Sequence, residues 1–138
     1  MPRFVLLVHD CPDDRPRPTH CDLMFEAGDT LQTWALDELP HDWQDIEGLK
    51  VAASNSVAAE QLADHRLAYL DYEGPVSGDR GTVTRIDEGT YESRKRDADR
   101  FVVDVVGKVI RGEIELQRNA DQSSQWQLTF RRPPPFTA

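Results

Sequence analysis

The chain holds only two cysteines in 138 residues. That is too few for the disulfide framework that staples small secreted domains. No stretch approaches 18 consecutive apolar residues, so nothing reads as a membrane-crossing helix. The N-terminus runs straight into a strand pattern and shows no signal-peptide pattern, so a cytoplasmic protein with reduced thiols is the expectation. Net positive charge is also missing. The formal charge of −9 argues against a general nucleic-acid coat. There is no internal repeat. The length suits one domain with a single core, expected over residues 1–132, with 133–138 as a mobile tail that opens on Pro133-Pro134-Pro135.

The charge that is present is unevenly spread. Residues 1–74 carry 5 Lys/Arg against 15 Asp/Glu, whereas residues 75–138 carry 11 against 10. Arg94-Lys95-Arg96, Arg100, Arg131 and Arg132 are therefore candidates for phosphate contact. The competing reading is a charged loop and a charged tail.

Hydropathy along the chain is mostly of β type. Val5-Leu6-Leu7-Val8 reads as a buried strand, His20 to Glu26 as a second, and Leu31 to Leu36 as a third that closes a hairpin across Ala27-Gly28-Asp29. Leu49 to Ala53 is a fourth strand candidate. Val57 to Tyr72 is alanine-rich, and part of it is expected to be helical. Gly81 to Ile86 reads as a strand, Asp87-Glu88-Gly89 as a tight turn, and Thr90-Tyr91 as the start of the return strand. Arg94 to Arg100 reads as a charged loop, and Phe101 to Val106, Val109 to Gln117 and Gln125 to Phe130 as three further strands. The expected fold is mainly β: a small closed β-barrel of about seven or eight strands with one or two short helices.

The residues that most resemble chemistry are His9, at the end of the first strand, and His20-Cys21-Asp22, at the start of the second. Successive strand side chains alternate between faces, so His20 and Asp22 share one face. If the two strands pair, His9 joins them. Two imidazoles and a carboxylate make a three-ligand site for Mn²⁺ or Zn²⁺ with positions open to substrate. The bland alternative is two surface histidines and a solvated Asp. A closed zinc shell from Cys11, His9, His20 and Cys21 is another. It is disfavoured because His20 and Cys21 are adjacent on a strand and point apart.

Several short motifs occur in a telling order: His20-Cys21-Asp22-Leu23-Met24-Phe25-Glu26, Thr33-Trp34-Ala35-Leu36-Asp37, Ala63-Asp64-His65-Arg66-Leu67-Ala68-Tyr69, Tyr72-Glu73-Gly74, Gly81-Thr82-Val83 and Asp87-Glu88-Gly89-Thr90-Tyr91-Glu92. In this order they resemble the 3′-phosphoesterase module of bacterial DNA ligase D over roughly residues 3–130. The resemblance implies a compact β-barrel, a Mn²⁺-dependent activity that trims a ribonucleotide or a phosphate from a DNA or DNA/RNA 3′ end, and a place among DNA repair proteins. By the same resemblance, His9, His20 and Asp22 hold the metal, while His65 and Tyr69 contact the scissile phosphate. Read without it, His65 and Tyr69 are simply an i, i+4 pair that packs together.

The departures from the family lie on the phosphate side. Its phosphate-binding Arg corresponds to Met24, and a thioether cannot supply a charged fork. A family Lys falls near Glu38. The loop between the metal histidines is longer here and carries Arg15 and Arg17 as substitutes for the missing Arg. Catalysis weakened by that loss is one expectation. A non-catalytic metal- or nucleic-acid-binding module on the same barrel is the alternative.

Overall fold

The computed structural model describes all residues except 13–17, 44–49, 77–79, 121–122 and 134–138. Arg15, Arg17 and most of the expected tail therefore lie outside the described residues. The strands are β1 (Arg3–Asp10), β2 (His20–Ala27), β3 (Thr30–Leu36), β4 (Ser56–Arg66), β5 (Gly74–Pro75), β6 (Thr82–Arg96), β7 (Arg100–Gly107), β8 (Arg111–Arg118) and β9 (Gln125–Arg131). They pair in the order β1-β2-β3-β4-β9-β8-β7-β6, and β6 returns to β1, closing an eight-stranded antiparallel barrel. The short β5 lies outside the ring, on β6. The mainly β barrel expected from the sequence is thus the observed architecture. In place of short helices the described residues hold only two 3-10 turns, His41–Trp43 and Leu67–Leu70. None of it is long and apolar enough to cross a membrane as a helix.

Alternation sorts the side chains of β1 and β2 into two layers. Phe4, Leu6, Cys21, Leu23 and Phe25 join the barrel interior with Trp34, Tyr91, Phe101 and Trp126. Phe25 meets Tyr91 and Phe101 edge to face, both at 5.2 Å. Such pairs add about 0.5–1.5 kcal/mol each beyond the area they bury. Val5, Leu7 and Met24 point the other way, yet they are also buried. The chain after β4 folds back over this outer face, and Leu70, Val76 and Val83 complete a second cluster there. Arg3 and Arg85 hold this cover in place through the Leu70 carbonyl, at 3.4 and 3.1 Å. Because both faces of β1 are covered, its sequence is a continuous apolar run rather than an alternating one.

Four sequence expectations need correction. Residues 56–66 form strand β4, and only Leu67–Leu70 turns, as 3-10. Val57 and Ala59 face the interior while Ala58 is exposed, a period of two that pairing with β3 and β9 enforces over alanine's helical preference. Leu49–Ala53 is not a strand. Leu49 lies outside the described residues, and the remainder makes a single parallel bridge, Leu39 to Val51. Finally, Asp87-Glu88-Gly89 is no turn, and Arg94–Arg96 is no loop, because β6 runs unbroken through both. Asp87 turns inward and accepts backbone N–H bonds from Glu88, Lys108, Val109 and Ile110, so it ties the β7–β8 connection rather than bending its own strand. Gly89 is there for close approach: a Cβ would sit 2.0 Å from the Val106 carbonyl oxygen.

Candidate functional site

β1 and β2 pair so that His9 stands opposite His20, Leu7 opposite Asp22 and Val5 opposite Met24. Cross-strand partners share a face. His9, His20, Asp22 and Met24 therefore lie together on the outer wall of the barrel, not in its interior. The His9 and His20 ring centroids are 5.0 Å apart, and His20 and Asp22 are buried at 3% and 2% exposure.

The hydrogen bonds of the two rings fix which nitrogens carry protons. His9 Nε2 donates to the Arg80 carbonyl at 2.7 Å, and His20 Nδ1 donates to the Pro18 carbonyl at 2.9 Å. A carbonyl can only accept, so in the neutral rings the opposite nitrogens carry lone pairs. Those are the nitrogens that face Asp22: His20 Nε2 lies 3.1 Å from Oδ1 and His9 Nδ1 lies 3.8 Å from Oδ2. Asp22 Oδ1 is buried and has no hydrogen-bond donor among the described residues. Two lone-pair nitrogens and a carboxylate converge, and each imidazole is held from behind by a backbone carbonyl. This is how proteins orient histidines toward a metal. The donor set fits a divalent cation of the Mn²⁺ or Zn²⁺ type.

The four-ligand zinc shell is not assembled. Cys21 faces the barrel interior, fully buried, and burial together with the neighbouring Asp22 charge pushes its thiol up to about 12. Cys11 is different. Its Sγ is 3.9 Å from His20 Nδ1 and donates to the His9 carbonyl at 3.6 Å. Ligand atoms of His9, Cys11 and His20 lie within 4.8 Å of one another.

β4 brings the other two candidates. Its register against β3 slips by one residue, so Thr33 pairs with Leu62 but Leu31 pairs with His65. Without the slip, His65 would share the inward face of Val57, Ala59 and Gln61. With it, His65 stands on the outer face beside Leu31, and such irregularities commonly re-aim a side chain near a site. His65 Nδ1 donates to the Ala63 carbonyl at 2.8 Å, leaving Nε2 as the ring's acceptor. Tyr69, on the 3-10 turn, packs edge to face on His65 at 5.8 Å.

A cleft of about 300 Å³ joins these groups, lined by His9, Asp22, His65 and Tyr69, with Met24 also on its wall. Arg66 and Arg80 line it too. The sequence reading missed both, and only the adjacency of Arg66 to His65 hinted at one. The basic residues picked out instead are engaged elsewhere. Arg94 pairs with Asp104, Arg100 with Glu115, Arg131 with Glu113 and Glu115, and Arg132 with Asp42, and none lines the cleft. Glu38 lies 3.7 Å from Lys50, also away from the cleft.

Comparison with known proteins places these residues in context. The family model described as DNA Ligase D 3′-phosphoesterase domain matches residues 12–129, a span that includes His20, Asp22, His65 and Tyr69 and begins just after His9. A search of curated proteins finds no match.

Proposed function

Because the chain belongs to the DNA ligase D 3′-phosphoesterase domain family, we propose that it is a metal-dependent phosphoesterase acting on the 3′ end of DNA or of a DNA/RNA strand. The observation that carries this reading is the approach of His9 Nδ1 and His20 Nε2 to the Asp22 carboxylate, beside a cleft whose wall carries His9, Asp22, His65 and Tyr69. His9, His20 and Asp22 would hold a divalent ion, Mn²⁺ by family analogy, which would supply Lewis-acid polarisation of a phosphoryl oxygen and offset developing negative charge. His65, held through Nδ1, turns Nε2 to the phosphoryl group, and in its doubly protonated form that nitrogen binds the phosphate or gives its proton to the leaving oxygen. The Tyr69 hydroxyl donates to a non-bridging phosphate oxygen. Arg66 and Arg80, which line the cleft, supply part of the positive charge that Met24 does not. Relative to a chain with Arg in place of Met24, turnover is slowed by about ten- to a hundredfold, since a charge-assisted contact is worth about 1.5–3 kcal/mol. The partners of such an activity are a DNA end and other repair proteins.

The test is a labelled primer–template carrying a 3′-phosphate, incubated with wild type and with His20→Ala, with and without Mn²⁺. Phosphate release that needs both Mn²⁺ and His20 supports the reading. No release by wild type above the enzyme-free control, while Mn²⁺ still binds, overturns it in favour of a non-catalytic binding module.

A further inference from the structure

We propose that Cys11 gives this centre a second, thiolate mode of metal binding, in which a soft ion such as Zn²⁺ is held by Cys11, His9 and His20 and excludes the ion held through Asp22. The inference deepens the proposed function and rests on it, because both modes use the same two histidines.

The His20 ring is the pivot. Its Nε2 faces Asp22 Oδ1 at 3.1 Å, and its Nδ1 faces Cys11 Sγ at 3.9 Å. By its bond lengths, a tetrahedral zinc holds a sulfur and a nitrogen ligand about 3.5 Å apart. The observed separation therefore needs a contraction of only a few tenths of an ångström. One ring nitrogen of His9 completes the trio, all within 4.8 Å.

The protons balance. Forming the sulfur–metal bond releases the thiol proton to solvent. Freeing Nδ1 for the metal shifts the His20 proton to Nε2, the ring nitrogen 3.1 Å from Asp22 Oδ1. Asp22 then braces a metal-bound imidazole from behind instead of binding metal itself, a common second-shell arrangement. The Pro18 carbonyl gives up its imidazole donor, and its exposed position lets water replace it. His20 holds one proton at a time, so one mode excludes the other. The ligand types divide the metals: carboxylate and imidazole suit Mn²⁺, while thiolate and imidazole suit Zn²⁺. Cys11 does not line the cleft, so an ion held there is drawn away from the substrate. Zinc thereby silences the hydrolytic centre.

Cobalt(II) is the probe, used as a spectroscopic stand-in for zinc on the full chain. Wild type should show a near-ultraviolet thiolate-to-cobalt charge-transfer band. Cys11→Ser should lose it, and Cys21→Ala and Asp22→Asn should keep it. In competition, Zn²⁺ affinity should fall by about 10–100-fold or more in Cys11→Ser, the range for losing an outer-shell partner being the lower bound. Mn²⁺ affinity should stay unchanged in the same variant. No band in wild type, a band that survives in Cys11→Ser, or a band lost in Asp22→Asn overturns the two-mode inference. The parent reading fails separately: Mn²⁺ binding that is indifferent to Asp22→Asn removes the hydrolytic centre whatever the cobalt spectrum shows.

Discussion

Leu31 on β3 pairs with His65 on β4, although the register two residues further along would have placed Asp64 there. That one-residue slip turns His65 outward, into the cleft that also holds His9 and Asp22. His65 is thus placed by the strand pairing and not by His9, His20 and Asp22. His65→Ala should therefore lower phosphate release by about 10²–10⁴-fold, the usual range for a general acid–base group. Mn²⁺ affinity and melting temperature should stay at wild-type values. A parallel loss of Mn²⁺ binding would make His65 a metal ligand instead.

Arg66 and Arg80 should act on the phosphate. Arg66→Ala or Arg80→Ala is expected to weaken use of a 3′-phosphate primer by about ten- to a hundredfold. Raised salt should narrow the gap from wild type, since exposed charge is screened. Steady-state kinetics at two ionic strengths would show this. Kinetics identical to wild type would mean that another group grips the phosphate.

Asp87 is a stability residue. One buried carboxylate satisfies four backbone N–H groups, three of them in the β7–β8 connection. Asp87→Ala leaves those donors without an acceptor, at about 1–3 kcal/mol for each one that water cannot reach. A loss of about 2–4 kcal/mol in urea unfolding is expected, with Mn²⁺ affinity unchanged in the folded fraction. A loss under half a kcal/mol would show that the connection holds itself without Asp87.

The two cysteines should behave differently. Burial, then the Asp22 charge, raises the Cys21 thiol from 9.0 to about 12. The folded state thus keeps a proton that the unfolded chain releases above 9.0. The stability linked to Cys21 is complete below pH 9 and is lost as pH rises from about 9 toward 12. At neutral pH, an alkylating reagent should modify the half-buried Cys11 quickly and Cys21 only after unfolding. Equal rates for both thiols in native protein would contradict the placement of Cys21 in the barrel interior.

The juxtaposition of His9, His20 and Asp22 was legible in the sequence because period-two alternation and one antiparallel pairing suffice to bring them to one face. The same rule put Cys21 on the opposite face. β4 was not legible as a strand, because its alanines favour a helix and the pairing that overrides them comes from β3 and from β9, far along the chain. Asp87-Glu88-Gly89 has turn chemistry, yet its carboxylate serves the β7–β8 connection and its glycine the close pairing with β7, which no local pattern reports. Arg66 and Arg80 line the cleft, whereas charge counting singled out arginines that do not.

The central claim is that His9 Nδ1, His20 Nε2 and Asp22 hold one divalent ion, and paramagnetic broadening of the four imidazole resonances tests it most directly. On titration with Mn²⁺, His9 and His20 should broaden together and first, His65 in the same cleft next, and His41, which does not line it, last. In Asp22→Asn the same broadening should require much more metal. Uniform broadening of all four, or none at millimolar Mn²⁺, would contradict the site.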